Sequence, residues 1–138
     1  MEANTKVVTE TNYSDGKFLT GFAGHSPLNI AGLSGIENLP QTWSPPHLFV
    51  AAVETCFLVT LIAVAKKMRI EVLGLSPVSE GNIISSDGRH YEVNEIIIRP
   101  KFDLKNEDDK NKLPQLIKMA KEHCLVARSL KTEVKCEI

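Results

Sequence analysis

Cysteine is scarce in this chain: Cys56, Cys124 and Cys136 are the only three in 138 residues, and no Cys-x-x-Cys pair occurs. An odd, sparse set excludes a disulfide framework as the main staple of the fold, and the spacing excludes a thioredoxin-type motif. It argues against a tetrahedral metal site as well, since His123, directly beside Cys124, cannot easily share one with it. Excess charge is missing too. A net charge of −1, with 24% charged residues, leaves no basic surplus for nucleic acid or an anionic membrane surface. The opening Met-Glu-Ala-Asn-Thr-Lys lacks the basic-then-apolar pattern of a secretory leader, so a cytoplasmic protein with unpaired thiols is expected. Internal repeats and low-complexity tracts are absent, and the length suits one domain over residues 1–138.

What the chain does have is one long apolar stretch. Ser44 is a good N-cap and Pro45 suits the first helical position, where a missing N–H costs nothing. From Leu48 to Ala65 nearly every residue is apolar or small, and neither glycine nor proline interrupts the run. Lys66, Lys67 and Arg69 then place positive charge where a helix C-terminus favours it. The run reaches 18 residues, the lower limit for a membrane span, but Glu54 lies inside it and the flanks read as strands and turns. A central core helix, covered on all sides, is the expectation. Cys56 stands about three turns into it.

Around this helix the pattern is α+β. Residues 5–11 and 17–22 are β-rich and flank Asp15-Gly16, a strong hairpin signal, and 26–30 reads as a third short strand. Residues 31–43 have loop composition. Two long strands are expected at Val72–Ile84 and His90–Leu104, with a bulge near Asn94-Glu95, where the apolar phase shifts between Tyr91/Val93 and Ile96/Ile98. Asn106-Glu-Asp-Asp109 looks like a helix start, and Pro114 either kinks that helix or marks its true beginning. Leu113, Leu116, Ile117, Ala120 and Cys124 share one helical face, which puts Cys124 on the core side. Thr132–Ile138 alternates like an edge strand, with Cys136 an incidental member.

Cys56 and Cys124 therefore both project from core-facing helix surfaces. Two readings follow: each is a small buried hydrophobe, or the two form a redox pair in which one thiolate attacks an oxidant and the other resolves the sulfenic acid. Glu54, two residues before Cys56, lies about 200° away round the helix, so it either finds a buried partner or serves a neighbouring site. His123 suits a helix end, and Arg128 follows Cys124 by four residues.

The segment Ser44-Pro-Pro-His-Leu-Phe-Val-Ala-Ala-Val-Glu-Thr-Cys56-Phe resembles the central-helix signature of the OsmC/Ohr family, the osmotically inducible and organic hydroperoxide resistance proteins. Met119-Ala-Lys-Glu-His-Cys124-Leu-Val-Ala-Arg-Ser-Leu130 is similar to that family's second-cysteine segment, and the order of elements matches along nearly the whole chain. The resemblance implies an OsmC-like α+β fold, a long buried helix packed on antiparallel sheets, in an intertwined homodimer. It implies reduction of organic hydroperoxides or hydrogen peroxide without a cofactor, with Cys56 as the peroxidatic and Cys124 as the resolving cysteine. An external dithiol, a dihydrolipoyl group in the best-studied branch, would restore both thiols. That branch carries a glutamate immediately after the proline that opens the helix, and this chain has Pro46 there. It also uses an N-terminal arginine to stabilise the thiolate, and this chain has no arginine before Arg69. Cys56 is too far along its helix for the dipole to lower its pKa, which leaves Lys17, His25, His123 and Arg128 as the cations to weigh. The alternative is a relative with little peroxidase activity that acts as a redox-sensing or binding dimer.

Overall fold

The structure, a computed structural model, describes residues 4–31 and 41–138. The chain forms two compact units, one reaching to Leu48 and one from Phe49 to Ile138. The first is built on an antiparallel sheet of β1 (Glu10–Ser14), β2 (Lys17–Gly21) and β3 (Leu28–Ile30). Asp15 and Gly16 connect β1 to β2 with φ of 51° and 77°, the two positive angles of a type I′ turn. This turn sets Ser14 opposite Lys17, so the pairing ends at Glu10 opposite Gly21. Val7 and Val8, expected in the first strand, therefore lie beyond its pairing with β2 and stay exposed. Trp43 then bonds back to the β3 edge, its N–H donating to the Asn29 carbonyl and its carbonyl accepting from Ala31. Most of the expected 31–43 loop lies outside the described residues.

Helix α1 (Pro45–Lys67) opens on the expected cap. The His47 N–H donates to Ser44 Oγ at 3.2 Å, and His47 Nδ1 meets the same oxygen at 2.6 Å. The helix closes by a different device from the expected basic turn alone. Arg69 adopts φ 58°, its N–H donates to the Lys66 carbonyl, and the Ile70 N–H donates to the Ala65 carbonyl. That is a Schellman motif with arginine in the left-handed position, and Ile70 is buried beside Ala65.

The second unit packs the rest of α1 and two further helices with a three-stranded sheet in the order β4-β5-β6. The long strands β4 (Val72–Ile84) and β5 (Glu92–Leu104) are antiparallel. The register shifts where Asn82 faces Glu95 but Ile83 faces Val93, so Asn94 is the extra residue, at the expected bulge. A 3-10 turn (Glu107–Lys112) follows, capped by Asn106, whose side chain accepts from the Asp108 N–H. Helix α2 (Leu113–His123) then starts with Pro114 in its first turn, so the proline marks a beginning and not a kink. After α3 (Leu125–Arg128), β6 (Glu133–Cys136) pairs with β5 in parallel, which the intervening helices permit as a crossover.

The core of this unit joins Val53, Phe57, Leu61 and Val64 of α1 to Ile96 and Ile98 of β5 and Leu116 and Ala120 of α2. The expectation of a helix covered all round holds for one face only within a single chain. Ala52, Thr55, Val59 and Ala63 form a second, exposed stripe, with Val59 at 72%. By length and composition α1 also passes as a membrane span, as core helices of soluble proteins do.

At Gly81 the strand β4 lies tight against α1. A Cβ built there would stand 2.7 Å from a Val50 methyl and 3.3 Å from a Val93 methyl. Gly81→Ala is therefore expected to destabilise the protein by about 1–3 kcal/mol through overpacking. Chemical denaturation of the variant beside the parent checks this, and an unchanged midpoint would mean that the crossing has slack.

Candidate active site

Cys56 sits on α1 at the border between the buried and exposed stripes, half-buried, with Phe57 beside it fully buried. Cys124 arrives from α2, whose buried residues Leu113, Leu116 and Ala120 lead to it on the same face, and it has no exposed surface. Cys56 packs against the core cluster that contains Cys124, near enough for its thiol to act electrostatically on the Cys124 thiol, and both are free. Core packing thus brings together two sulfurs that are remote in sequence.

Cys124 does not lie within a helix, as its spacing suggested. It separates α2 from α3, with φ −71° and ψ 108°, and so ends one helix and begins the next. Apolar periodicity reports only which face is buried, and a one-residue break leaves that face unchanged. Arg128 spans the break: its backbone N–H donates to the Cys124 carbonyl at 3.0 Å, and its guanidinium donates to the Glu122 carbonyl at 3.1 Å.

Burial pushes the Cys124 thiol above its ordinary pKa, because a thiolate loses its hydration there. The neighbouring Cys56 thiol raises it further. The amide dipoles of Ala127 and Val126 oppose both effects, although neither makes a complete capping hydrogen bond to the sulfur. Among the described residues, no cationic side chain acts on this thiol. Cys136 stands opposite Ile98 on β6, half-buried, and burial pushes its thiol up to about 11, with Lys121 opposing and Glu137 reinforcing. It is a thiol, not a thiolate, at neutral pH.

The other residues singled out in the sequence are more scattered. Glu54 is half-buried on the flank of α1 away from Cys56, with no hydrogen bond or ion pair among the described residues. His123, the last residue of α2, is exposed in an open surface depression with Arg128, Leu125 and Ser129. Lys17 and His25 are exposed residues of the first unit, where the His25 ring stacks against Phe22 at 4.0 Å. Pro46 lies in the first turn of α1. Among the described residues, no cluster of three His, Cys, Asp or Glu side chains could hold a metal. The carbonyl bond of Arg128 was not legible in the sequence, whose only hint was an arginine four residues beyond Cys124.

Comparison with known proteins places this pair of cysteines in context. The chain is 28% identical over 98 residues to YmaD, an uncharacterised protein of Bacillus subtilis, a match covering 69% of this chain and 65% of that protein. An OsmC-like protein of unknown function from Vibrio cholerae superposes with a TM-score of 0.83 at 19% identity, covering 97% of this chain and 99% of that one. The organic hydroperoxide resistance protein OhrB of Bacillus subtilis superposes with a TM-score of 0.69 at 19% identity, covering 98% of both chains. The fold is thus the OsmC-like α+β fold expected from the two cysteine segments. The family model for OsmC-like proteins matches residues 38–138, which include both cysteines, and the chain belongs to that family.

Proposed function

We propose that this chain is a cysteine-dependent peroxidase that reduces organic hydroperoxides or hydrogen peroxide. The observation that carries the reading is the packing of the half-buried Cys56 against the core cluster that holds the fully buried Cys124, close enough for one thiol to act on the other. The Cys56 thiolate attacks the distal peroxide oxygen, the O–O bond breaks, and an alcohol (or water) leaves with a proton from solvent. Cys56 is then a sulfenic acid. The Cys124 sulfur attacks the Cys56 sulfur, the S–S bond forms, and the hydroxyl departs as water. An external dithiol, for which a dihydrolipoyl group is the favoured class, reduces the disulfide and restores both thiols. Exposure sets the order: the sulfur that peroxide can reach is that of Cys56. The raised pKa of Cys124 makes disulfide closure faster as pH rises toward that pKa.

The name of the Bacillus subtilis structural neighbour, an organic hydroperoxide resistance protein, supports the substrate class. A second reading, a redox-sensing or binding dimer, draws on the lack of an arginine before Arg69 and on Pro46 in place of the family glutamate. The test is consumption of cumene hydroperoxide by purified protein with dihydrolipoamide. Multiple turnovers per chain are expected; consumption no faster than by the free dithiol would favour the second reading. The cytoplasm, which keeps thiols reduced, is the proposed compartment.

The working form is proposed to be a homodimer. The stripe Ala52, Thr55, Val59 and Ala63 is an apolar surface that a second copy would cover. Sedimentation at low micromolar concentration should give twice the chain mass of 15.3 kDa. Val59→Lys, which sets a charge on that stripe, should weaken association by at least about tenfold. A parent protein sedimenting as a folded monomer would contradict the dimer.

A further inference from the structure

Resting on the peroxidase reading for its consequence but not for its geometry, we infer that Arg128 is a positioning residue for the resolving cysteine. It spans the helix break so that Cys124 meets the Cys56 sulfenic acid before a second peroxide does. Cys124 is the one residue between α2 and α3, and its extended backbone belongs to neither helix. A single residue between two helices has two free dihedrals, and its sulfur swings with them. Arg128 holds both sides of that residue. Its backbone N–H closes the first turn of α3 on the Cys124 carbonyl at 3.0 Å. Its guanidinium reaches back past the break to the Glu122 carbonyl at 3.1 Å. That carbonyl belongs to the last turn of α2 and lacks an intrahelical partner, and a cation at a helix C-terminus is favoured besides. Ser129 secures the far end of α3 through Oγ to the Leu125 carbonyl at 2.9 Å.

The alternative role for Arg128, as the cation that ionises a thiol, does not fit this arrangement. Its guanidinium is turned to a backbone carbonyl on the exposed surface, while Cys124 is wholly buried. Arg128 is not among the groups that shift the Cys124 thiol. The clamp therefore acts on the partition of the Cys56 sulfenic acid. Either Cys124 attacks the sulfur and water leaves, or a second hydroperoxide transfers an oxygen, giving sulfinic acid and a second alcohol. Losing the clamp slows only the first branch.

Parent protein, Arg128→Met and Arg128→Lys are oxidised with one to ten equivalents of cumene hydroperoxide, and Cys56 is quantified by mass spectrometry as disulfide or sulfinic acid. Arg128→Met should raise the sulfinic-to-disulfide ratio about tenfold, the loss expected for one charge-assisted hydrogen bond. The rate at which the Cys56 thiol is consumed should change less than about twofold. Arg128→Lys, which keeps a donor for the Glu122 carbonyl, should recover part of the disulfide. The same proteins are equilibrated with reduced and oxidised glutathione, a measurement that needs no peroxide. Arg128→Met should lower the effective concentration of the Cys56–Cys124 pair about tenfold. If peroxide leaves the parent untouched but the glutathione equilibrium shifts as stated, the clamp stands and the peroxidase reading falls. If the equilibrium and the ratio are both unchanged, the clamp is refuted. If Arg128→Met instead slows consumption of the Cys56 thiol, Arg128 acts on the attacking thiolate and the positioning role is refuted.

Discussion

Cys56→Ser is expected to lower hydroperoxide consumption by at least about a thousandfold, while Cys124→Ser keeps one rapid turnover and then stalls. The difference follows from position and chemistry. A serine hydroxyl at position 56 is un-ionised at neutral pH and a far weaker nucleophile than a thiolate, so the first bond to oxygen does not form. Because attack and resolution act in series, the loss is that of the whole reaction and not a share of it. Cys124→Ser leaves the attacking sulfur in place but removes the thiol that interacts with it. One equivalent of peroxide should then accumulate sulfenic acid on Cys56, visible with a sulfenic-acid-trapping probe, and further equivalents should drive it to sulfinic acid. Comparable steady-state rates for parent and Cys56→Ser would remove Cys56 from the chemistry.

The second large effect is on stability. Phe57 lies beside Cys56 on α1, has no exposed surface, and belongs to the core that joins α1 to β5 and α2. Phe57→Ala removes a ring from a site walled by neighbours on three elements, so collapse of the cavity is limited. The cost should be about 3–5 kcal/mol, a large part of the roughly 5–15 kcal/mol that holds a domain of this size together. Thermal unfolding should show the midpoint falling by on the order of 10 °C. A drop of only a degree or two would mean that α1 is held elsewhere, and with it Cys56.

Much of this arrangement could be read from the residues. Ser44 and Pro45 announced the start of α1, and the long strands β4 and β5 followed from β-branched alternation around Ser85–Gly88. The extra residue Asn94 showed itself because a bulge reverses the side-chain phase, which the sequence records as Tyr91/Val93 giving way to Ile96/Ile98. Other features depend on partners that a linear pattern does not carry. Val7 and Val8 have strand propensity, but the turn at Asp15-Gly16 fixes the register and β2 runs out opposite Glu10. Arg69 at φ 58° was illegible because glycine is the usual signal for that position. The break at Cys124 was hidden because apolar spacing reports only the buried face of α2, and Cys124 continues that face. The nearness of the two thiols could be anticipated as a shared core side, but only the packing of α1, β5 and α2 into one cluster brings them together.

The central claim, that Cys56 and Cys124 act as one redox pair, is tested most directly by peptide mapping after one equivalent of cumene hydroperoxide. The expected product is a single intramolecular Cys56–Cys124 disulfide, with Cys136 recovered as free thiol, since its raised pKa of about 11 keeps it un-ionised. Recovery of both Cys56 and Cys124 as free thiols, or a disulfide that includes Cys136, would contradict it.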